Sequence, residues 1–435
     1  MLYVSNIIDE STIEVSDSRT LKARVANVNE LRTEGTKVFG LTQSKVIAYR
    51  DVEDFLTRYA LRQKLVNPDY EYTFEYVNNE VRVSGVDIYT ARTVDLEIPD
   101  FVDTLRNYAF QNRSDIRSVY IPDSIVRLGG YCFYGCDRLE SVRLSQSLTC
   151  LADYVFSGCK SLRDIALPST LVSLGGGCFS ECTALTDIVL PKGITALGES
   201  CFYKCTALIN IVLPEGVTKL DRCCFRECTG LESIILPKSL TTLGDNCFDM
   251  CESLKRLYLP STVTHIGMFC FSACHSLEDI NISDTSIDEL RLSCFRMCCS
   301  LKSLKLPNGL QKINNQVFMG CDSLEEIHMP SLLNALENRT FFGCFSLRRL
   351  TIVRLSMPTE AHLKAIGSAF TECGKLSTIR IEGIVDIDSA DIETLIRYFK
   401  KGVPSLEVIE TNKSVGVSLS TVAGELGIEI RLLEE

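Results

Sequence analysis

The sequence predicts an α/β solenoid, in which short strands from successive coils stack into a parallel β-sheet on a concave face. The first observation is a fixed spacing of phenylalanines, at positions 110, 133, 156, 179, 202, 225, 248, 271, 295, 318, 341 and 370. The steps are 23 residues seven times, then 24, 23, 23 and 29. Although 435 residues would allow about three domains, such a period is typical of about twelve stacked repeats.

The second observation is the pattern inside each repeat, L-x-x-I-x-L-P-x-x-V-x-x-L-G-x-x-C-F-x-x-C. The segment L-x-x-I-x-L alternates apolar and open positions, which predicts a short strand with one buried face. The Pro ends the strand because it cannot donate a ladder hydrogen bond. The Gly permits a tight return, and we expect Cys-Phe-x-x-Cys to form a short helical turn opposite the sheet.

This pattern resembles the BspA-like, Treponema-type class of leucine-rich repeats, whose units read Leu-x-x-Ile-x-Ile-Pro, Val-x-x-Ile-Gly and Ala-Phe-x-x-Cys. The resemblance spans about residues 94–382. Seven units differ from the family by having Cys where the family usually has Ala before Phe. The resemblance implies a leucine-rich repeat solenoid, and it implies adhesion to host proteins, since such repeats often act at bacterial or protist surfaces.

The two flanks do not follow the repeat. We predict a small α/β N-terminal capping domain of unknown role at residues 1–85, the solenoid at residues 86–384 and a C-terminal cap at residues 385–435. The N-terminal expectations are strands at Leu2–Val4, Thr12–Val15, Lys37–Phe39, Val46–Tyr49, Tyr72–Val77 and Val81–Val86, and a helix at Asp51–Leu65. The C-terminal expectations are a helix at Asp388–Lys400, strands at Leu406–Ile409 and Ile428–Leu432, and a short helix between them.

The 21 cysteines follow the same repeat. Cys-x-x-x-Cys could be half of a zinc site or a redox pair, or the cysteines could be small buried hydrophobic residues. We favour buried free thiols and no metal, because Val, Ala and Thr replace Cys before Phe in other units and the neighbours are Phe and Leu. Cys150, Cys223 and Cys299 lie off the pattern, and we expect these three thiols to be exposed.

Composition and motifs restrict the function. The net charge of −11 argues against nucleic acid as a partner. The absence of any run of 18 apolar residues argues against a membrane span. Because the N-terminus lacks a signal-peptide pattern, we expect a cytoplasmic location, with the cell surface or secretion by a non-standard route as the alternative.

Catalytic motifs are absent from the sequence. It has no P-loop, dinucleotide fingerprint or nucleophile elbow, and its four His lack metal or triad spacing. We therefore predict a non-enzymatic protein without catalytic, cofactor-binding or metal-binding residues. Our first hypothesis is a protein-binding or scaffolding protein. The alternative is a cell-surface adhesin that binds host proteins, and the third hypothesis is an unrecognised enzymatic activity in the N-terminal domain.

The candidate binding site lies on the open face of the sheet, eight and ten residues after each Phe. At the second of these positions, five successive repeats carry apolar residues, from Ala166 to Tyr258. A stripe of this kind often marks an interaction site for another protein, although β-branched residues also simply suit strands. The predicted protein-binding residues are Asp164, Ala166, Asp187, Val189, Asn210, Val212, Ile235 and Tyr258.

Two irregularities interrupt the repeat. The unit around Asn281–Arg291 has one extra residue, with Ser283 where other units have Pro. The unit before Phe370 has six extra residues, near Leu355–His362. Insertions in repeat arrays form loops that are sometimes binding elements, and we favour their being simply tolerated here.

Overall fold

A computed structural model describes residues 2–9, 12–17, 23–27, 38–41, 46–48, 69–77, 80–100, 102–331, 337, 339–354, 368–383 and 389–433. The chain divides into two compact units, Met1–Cys182 and Thr183–Glu435. Both units contain coils of a parallel β-solenoid, stacked in steps of about 23 residues. The predicted fold class is therefore confirmed.

The first unit begins with a five-stranded sheet. Its strands are β1 (Leu2–Asp9), β2 (Thr12–Asp17), β3 (Ala23–Asn27), β4 (Val38–Leu41) and β5 (Val46–Ala48). Their order is β3-β2-β1-β4-β5, with β1 and β4 parallel and the other neighbours antiparallel. The four strands predicted here overlap β1, β2, β4 and β5. The predicted helix at Asp51–Leu65 lies outside the described residues.

An antiparallel hairpin, Tyr70–Val77 and Glu80–Ile88, connects to the first coil. Both of its strands were predicted. Its second strand pairs in parallel with Thr104–Leu105. The edge of the Tyr72 ring lies against Phe110, with the ring centroids 6.4 Å apart. The hairpin therefore covers the first phenylalanine of the stack.

In most coils, one short strand contributes to the predicted open sheet. The first unit contributes Val94–Glu97, Ile116–Tyr120 and Ser141–Arg143. The second contributes Asn210–Val212, Ser233–Ile235, Arg256–Leu257, Asp279–Ile280, Ser303–Lys305, Glu326–Ser331, Arg349–Arg354 and Thr378–Ile381. Residues 23 apart are register partners, as at Ile211 and Ile234. The central residue of each three-residue strand is buried and its two neighbours are exposed.

A second parallel ladder, which the sequence pattern did not predict, lies after the Pro position of the repeat. Its two-residue strands are Thr104–Leu105, Arg127–Leu128, Cys150–Leu151 and Ser173–Leu174 in the first unit. In the second unit they are Ala196–Leu197, Lys219–Leu220, Thr242–Leu243, His265–Ile266, Glu289–Leu290 and Lys312–Ile313. The second residue of each is buried, so the apolar residue before the Gly also belongs to the core.

The Cys-Phe-x-x-Cys segments form consecutive turns, so the expectation of a short helical turn was wrong for these segments. The backbone is left-handed two residues before and two residues after most of the phenylalanines, as at Ser200 (φ 58°) and Lys204 (φ 58°). This alternation directs the N–H groups of Ser200, Phe202 and Lys204 to carbonyls of the next coil, at 2.9 Å each. Hydrogen bonds between coils thus offset the strain of left-handed residues.

The phenylalanines form the centre of the core. Those from Phe110 to Phe341 are fully buried. Neighbouring rings stack with centroids 5.0–5.7 Å apart in the first unit, and 5.1–5.8 Å apart from Phe202 to Phe370 in the second. Because each ring packs between its two neighbours, no coil can bury its apolar face alone.

The irregular unit contains a 3₁₀ helix at Ile282–Asp284, which accommodates the missing Pro and the extra residue. The Asn281 side chain takes the place of a ladder residue there. Its Oδ1 accepts from the Leu259 amide at 2.7 Å, and its Nδ2 donates to the Leu259 carbonyl at 3.0 Å. The insertion at Leu355–His362 lies outside the described residues.

The C-terminal region continues the sheet. It contains α1 (Ser389–Gly402), the strand Val408–Thr411, α2 (Lys413–Leu426) and the strand Glu429–Leu432. Both strands add in parallel beyond Thr378–Ile381, and the Phe399 ring lies 6.4 Å from that of Phe370. The predicted helix and both strands are confirmed, and the helix between them has 14 residues rather than being short.

Candidate protein-binding face

The open face of the sheet presents the residues that the repeat places eight and ten positions after Phe. In the strand Asn210–Val212, Ile211 is buried while Asn210 and Val212 are exposed. The strand Ser233–Ile235 repeats this arrangement. The alternation of a β-strand therefore determines which side chains a partner could contact.

Four large apolar side chains of the second unit lie unprotected on this face. The exposed fraction is 76% at Val189, 58% at Val212, 61% at Ile235 and 63% at Tyr258. Val212 and Ile235 are register partners, so they are direct neighbours across the sheet. We call Val189, Val212, Ile235 and Tyr258 the apolar stripe. The predicted binding residues of the first unit, Asp164 and Ala166, are also exposed.

Polar residues border the apolar stripe. Asp187, Asn210 and Arg256 are exposed at the neighbouring position, two residues earlier in their repeats. The Ser233 hydroxyl donates to Oδ1 of Asn210 at 2.5 Å. In the next coil, Asn281 occupies the column of the stripe, and its amide is engaged with the backbone of Leu259. The stripe therefore ends at Tyr258.

Other parts of the face, on either side of the apolar stripe in the sequence, carry charged residues. Nε2 of His328 lies 3.5 Å from Oε1 of Glu326, as expected for neighbours on the open face. In the first unit, Arg143 lies over the Tyr120 ring at 4.9 Å and pairs with Asp123 at 2.7 Å. The hydrogen bond from Arg143 lowers the pKa of the Asp123 carboxyl. These charges are paired on the protein surface, where ion pairs contribute little free energy.

The sequence pattern did not predict two exposed apolar features. Ile209 is 45% exposed directly before the strand Asn210–Val212, at a position that the strand alternation does not assign to the open face. The rings of Tyr108, Tyr131 and Tyr154 stack with centroids 5.0 and 4.8 Å apart in the turns of the first unit. The available signal was a Tyr two residues before Phe in three successive repeats.

We call the cysteines directly before Phe and three residues after Phe the ladder cysteines. Those after Phe are hydrogen-bond donors as well as apolar residues. Ten thiols donate to the carbonyl of a Phe in a neighbouring coil, with Sγ–O distances of 3.0–3.3 Å. Burial raises the pKa of Cys136, Cys182 and Cys228 to about 12. All 21 cysteines are free, and the described residues hold no cluster of three or more metal-ligating side chains.

The prediction of three exposed thiols is correct only in part. Cys150 is exposed and Cys299 is partly exposed, but Cys223 is buried. Cys223 occupies the left-handed position before Cys224, with φ 56°, and its burial raises its pKa. The turn segment thus encloses a side chain that the sequence pattern left outside the core.

A family model for the BspA type leucine-rich repeat region matches six copies, at residues 89–209, 195–298 and 288–394. The chain belongs to this family. The match covers the whole solenoid, which agrees with the stacked coils and the Phe spacing described above.

Several solved structures are similar to this chain, and the first described here, with a TM-score above 0.5, shows the same fold. A leucine-rich repeat protein from Bacteroides ovatus is 23% identical, with 85% of this chain and 100% of that chain covered and a TM-score of 0.58. A leucine rich cell surface protein from Faecalibacterium prausnitzii is 21% identical, with 85% and 94% covered and a TM-score of 0.46. The T. pallidum leucine rich repeat protein is 24% identical, with 47% and 87% covered and a TM-score of 0.37. No functionally curated protein matches the sequence.

The BspA-type solenoid of this chain has no helix, among the residues that the structure describes, that is long and apolar enough to cross a membrane. Of the His residues, His265, His275 and His328 are partly buried, and burial lowers the pKa of His265. His362 lies outside the described residues. On the open face, the apolar stripe and its polar borders are the surface that a partner could contact.

Proposed function

We propose that this BspA-type leucine-rich repeat protein is a non-enzymatic scaffold that binds another protein through the apolar stripe. The observation that carries the proposal is the exposure of Val189, Val212, Ile235 and Tyr258, each more than half exposed, in four successive repeats. Side by side they cover an area on the order of a few hundred Å², the size at which exposed apolar patches mark interaction sites.

The strand itself does not require apolar residues in this column. The equivalent positions of three other repeats carry Arg143, Lys305 and Arg380, and these residues lie in strands that pair with their neighbours. The β-propensity of Val and Ile therefore does not account for four successive apolar residues, whereas burial against a partner does.

The spacing of the stripe suits a helix of the partner. Neighbouring strands lie about 4.8 Å apart, and an amphipathic helix presents apolar side chains once per turn, about every 5.4 Å. Such a helix laid along the stripe would contact Val189, Val212, Ile235 and Tyr258 in turn, a mode of recognition that grooves and faces of other proteins use.

The test compares Val212→Glu with Val417→Glu, which changes a valine that is 70% exposed on α2. A photoreactive amino acid replaces Ile235 in both variants and in the reference chain, and crosslinked proteins are identified by mass spectrometry after irradiation in native lysate. We expect one crosslinked partner, whose crosslinking yield falls about ten-fold or more in Val212→Glu and is unchanged in Val417→Glu. All three chains should unfold at the same temperature.

Equal crosslinking in Val212→Glu and Val417→Glu would contradict the proposal. A second criterion is the partner's contact segment, which hydrogen exchange of the purified complex locates. Protection of a helix with apolar residues on one face supports the helical mode, whereas protection of a loop contradicts it.

Two locations are compatible with such binding: a cytoplasmic scaffold, which the sequence favoured, and an adhesin for host proteins at the cell surface. Family membership gives the cytoplasmic location no support. Labelling intact cells with a membrane-impermeant amine reagent separates the two, because only a surface protein is modified before lysis. No observation favours an enzymatic activity in residues 1–85.

A further inference from the structure

A shallow pocket of about 310 Å³ lies at the first coils of the first unit. Three of its lining side chains are arginines, Arg92, Arg113 and Arg138, and one is an acid, Asp115. Ser114 and Thr93 belong to the same lining. This surface carries a local excess of positive charge on a chain whose net charge is −11.

Arg113 and Asp115 neutralise each other. The Arg113 Nε and Nη2 donate to the two carboxylate oxygens of Asp115 at 2.9 Å each, and Nη1 donates to the Val86 carbonyl at 2.8 Å. Arg113 stands three residues after Phe110, where the following coils have the second ladder Cys. The first coil therefore departs from the repeat and places a fixed guanidinium at the pocket.

Arg92 and Arg138 supply the uncompensated charge. Both are exposed, and within the part of the chain that the structure describes neither guanidinium has an ion-pair partner. Arg138 also departs from the repeat. The five following coils have small residues at its position, namely Ser161, Ala184, Ala207, Gly230 and Ser253. The solenoid fold itself thus does not require an arginine there.

We propose that this pocket binds a tetrahedral oxyanion, a phosphate or sulfate group. Arg92 and Arg138 bring two charges, which match a dianion, and guanidinium groups bind such oxygens with paired hydrogen bonds. The hydroxyls of the lining residues Ser114 and Thr93 are further possible donors by their chemistry. A tetrahedral group can accept all of these bonds at once, whereas a carboxylate has only two oxygens.

The test uses calorimetric titration of the full chain at low ionic strength with inorganic phosphate, glucose 6-phosphate and acetate. The variant is Arg92→Gln combined with Arg138→Gln. The control is Arg348→Gln, which changes an exposed arginine that has no ion pair among the described residues. We expect saturable phosphate binding, weakened about ten-fold or more in the double variant and unchanged in the control.

The two phosphate probes distinguish the source of the ligand. Tighter binding of glucose 6-phosphate supports an esterified group, and tighter binding of inorganic phosphate supports a free ion. The proposal is overturned if neither phosphate binds more tightly than about 10 mM, if the double variant binds as well as the control, or if acetate binds as tightly as phosphate.

Discussion

At the scale of the single residue, a cysteine three residues after Phe has two roles. Its side chain fills a small space beside a stacked Phe, and its thiol donates to the Phe carbonyl of a neighbouring coil, as Cys228 does to Phe202 at 3.0 Å. Val or Ala can fill the space but cannot donate. This explains why the position three residues after Phe is Cys in eleven coils, while the position before Phe varies.

Alkylation of the native protein should separate the cysteines by burial. At neutral pH we expect iodoacetamide to modify Cys150 fastest and Cys299 slowly, and to leave the other thiols intact until urea unfolds the chain. The reason is that the thiolate is the reacting species, and burial raises the pKa of ladder thiols such as Cys182 to about 12. Peptide mass spectrometry gives the rate at each site.

A Cys150→Ala variant is the control, because its native labelling should fall to the slow rate of Cys299. Rapid native labelling of any ladder cysteine, or of the buried Cys223, would show that the turns open more readily than the packing indicates.

At the scale of the element, the strand of the irregular coil depends on one side chain. Asn281 offers both an acceptor and a donor to the backbone of Leu259, so its amide imitates the peptide group of a regular neighbouring strand. It also donates to Asp284 Oδ2 at 3.2 Å, which connects it to the 3₁₀ helix. The sequence showed the missing Pro, but not the replacement of a backbone contact by a side chain.

Asn281→Asp should therefore destabilise the second unit. The variant retains an acceptor for the Leu259 amide, loses the donor for the Leu259 carbonyl and places a second carboxylate beside Asp284. We expect a loss of about 2 kcal/mol in the free energy of unfolding, as is typical when a buried polar group loses its partner. Urea denaturation followed by circular dichroism measures it.

Asn210→Asp is the matched control, since this Asn is exposed on the open face and accepts from Ser233. Its unfolding free energy should change by less than about 0.5 kcal/mol, as for surface substitutions in general. An equal loss in both variants would mean that Asn281 has no special role.

At the scale of the whole molecule, the repeat multiplies a small local effect. Eighteen cysteines occupy the two ladder positions, and burial raises the thiol pKa throughout the ladder wherever a shift is resolved, for example at Cys136 and Cys274. In the unfolded chain each thiol has a pKa of about 8.5. Folding therefore keeps many protons bound that the unfolded chain releases in alkaline solution.

Stability should consequently fall in mild alkali. The contribution of the thiols is complete below about pH 8.5 and declines as the pH rises towards the folded values of about 12 at Cys136, Cys182 and Cys228. Each ladder thiol contributes a slope of up to about 1.4 kcal/mol per pH unit. We expect the urea midpoint to fall steeply between about pH 8 and pH 9.5, before Tyr and Lys titrate.

Recovery of the original midpoint after return to neutral pH is the control for chemical damage. A midpoint that stays constant over this range would exclude protonated, buried thiols as the folded state of the ladder.

The sequence alone predicted the repeat architecture because stacking makes the same demand at every coil. Phe248, Leu254 and Leu257 are buried as expected, and Val212 and Ile235 are exposed as expected, since strand alternation and the Phe spacing are local properties. The helix α1 was predicted from its amphipathic pattern. The two C-terminal strands were also predicted. That they extend the parallel sheet was not, since their spacing departs from 23 residues.

By itself the sequence predicted the family, the 23-residue repeat and the outward-facing residues of the open face. Contacts between residues of different coils were decided only by the tertiary structure. The thiol of Cys228 donates to the Phe202 carbonyl, Asn281 pairs with Leu259, and Arg92 and Arg138 line one pocket. The physical reason is that periodicity specifies which face a side chain occupies, whereas a hydrogen bond or a charged pocket depends on where two distant segments bring their atoms.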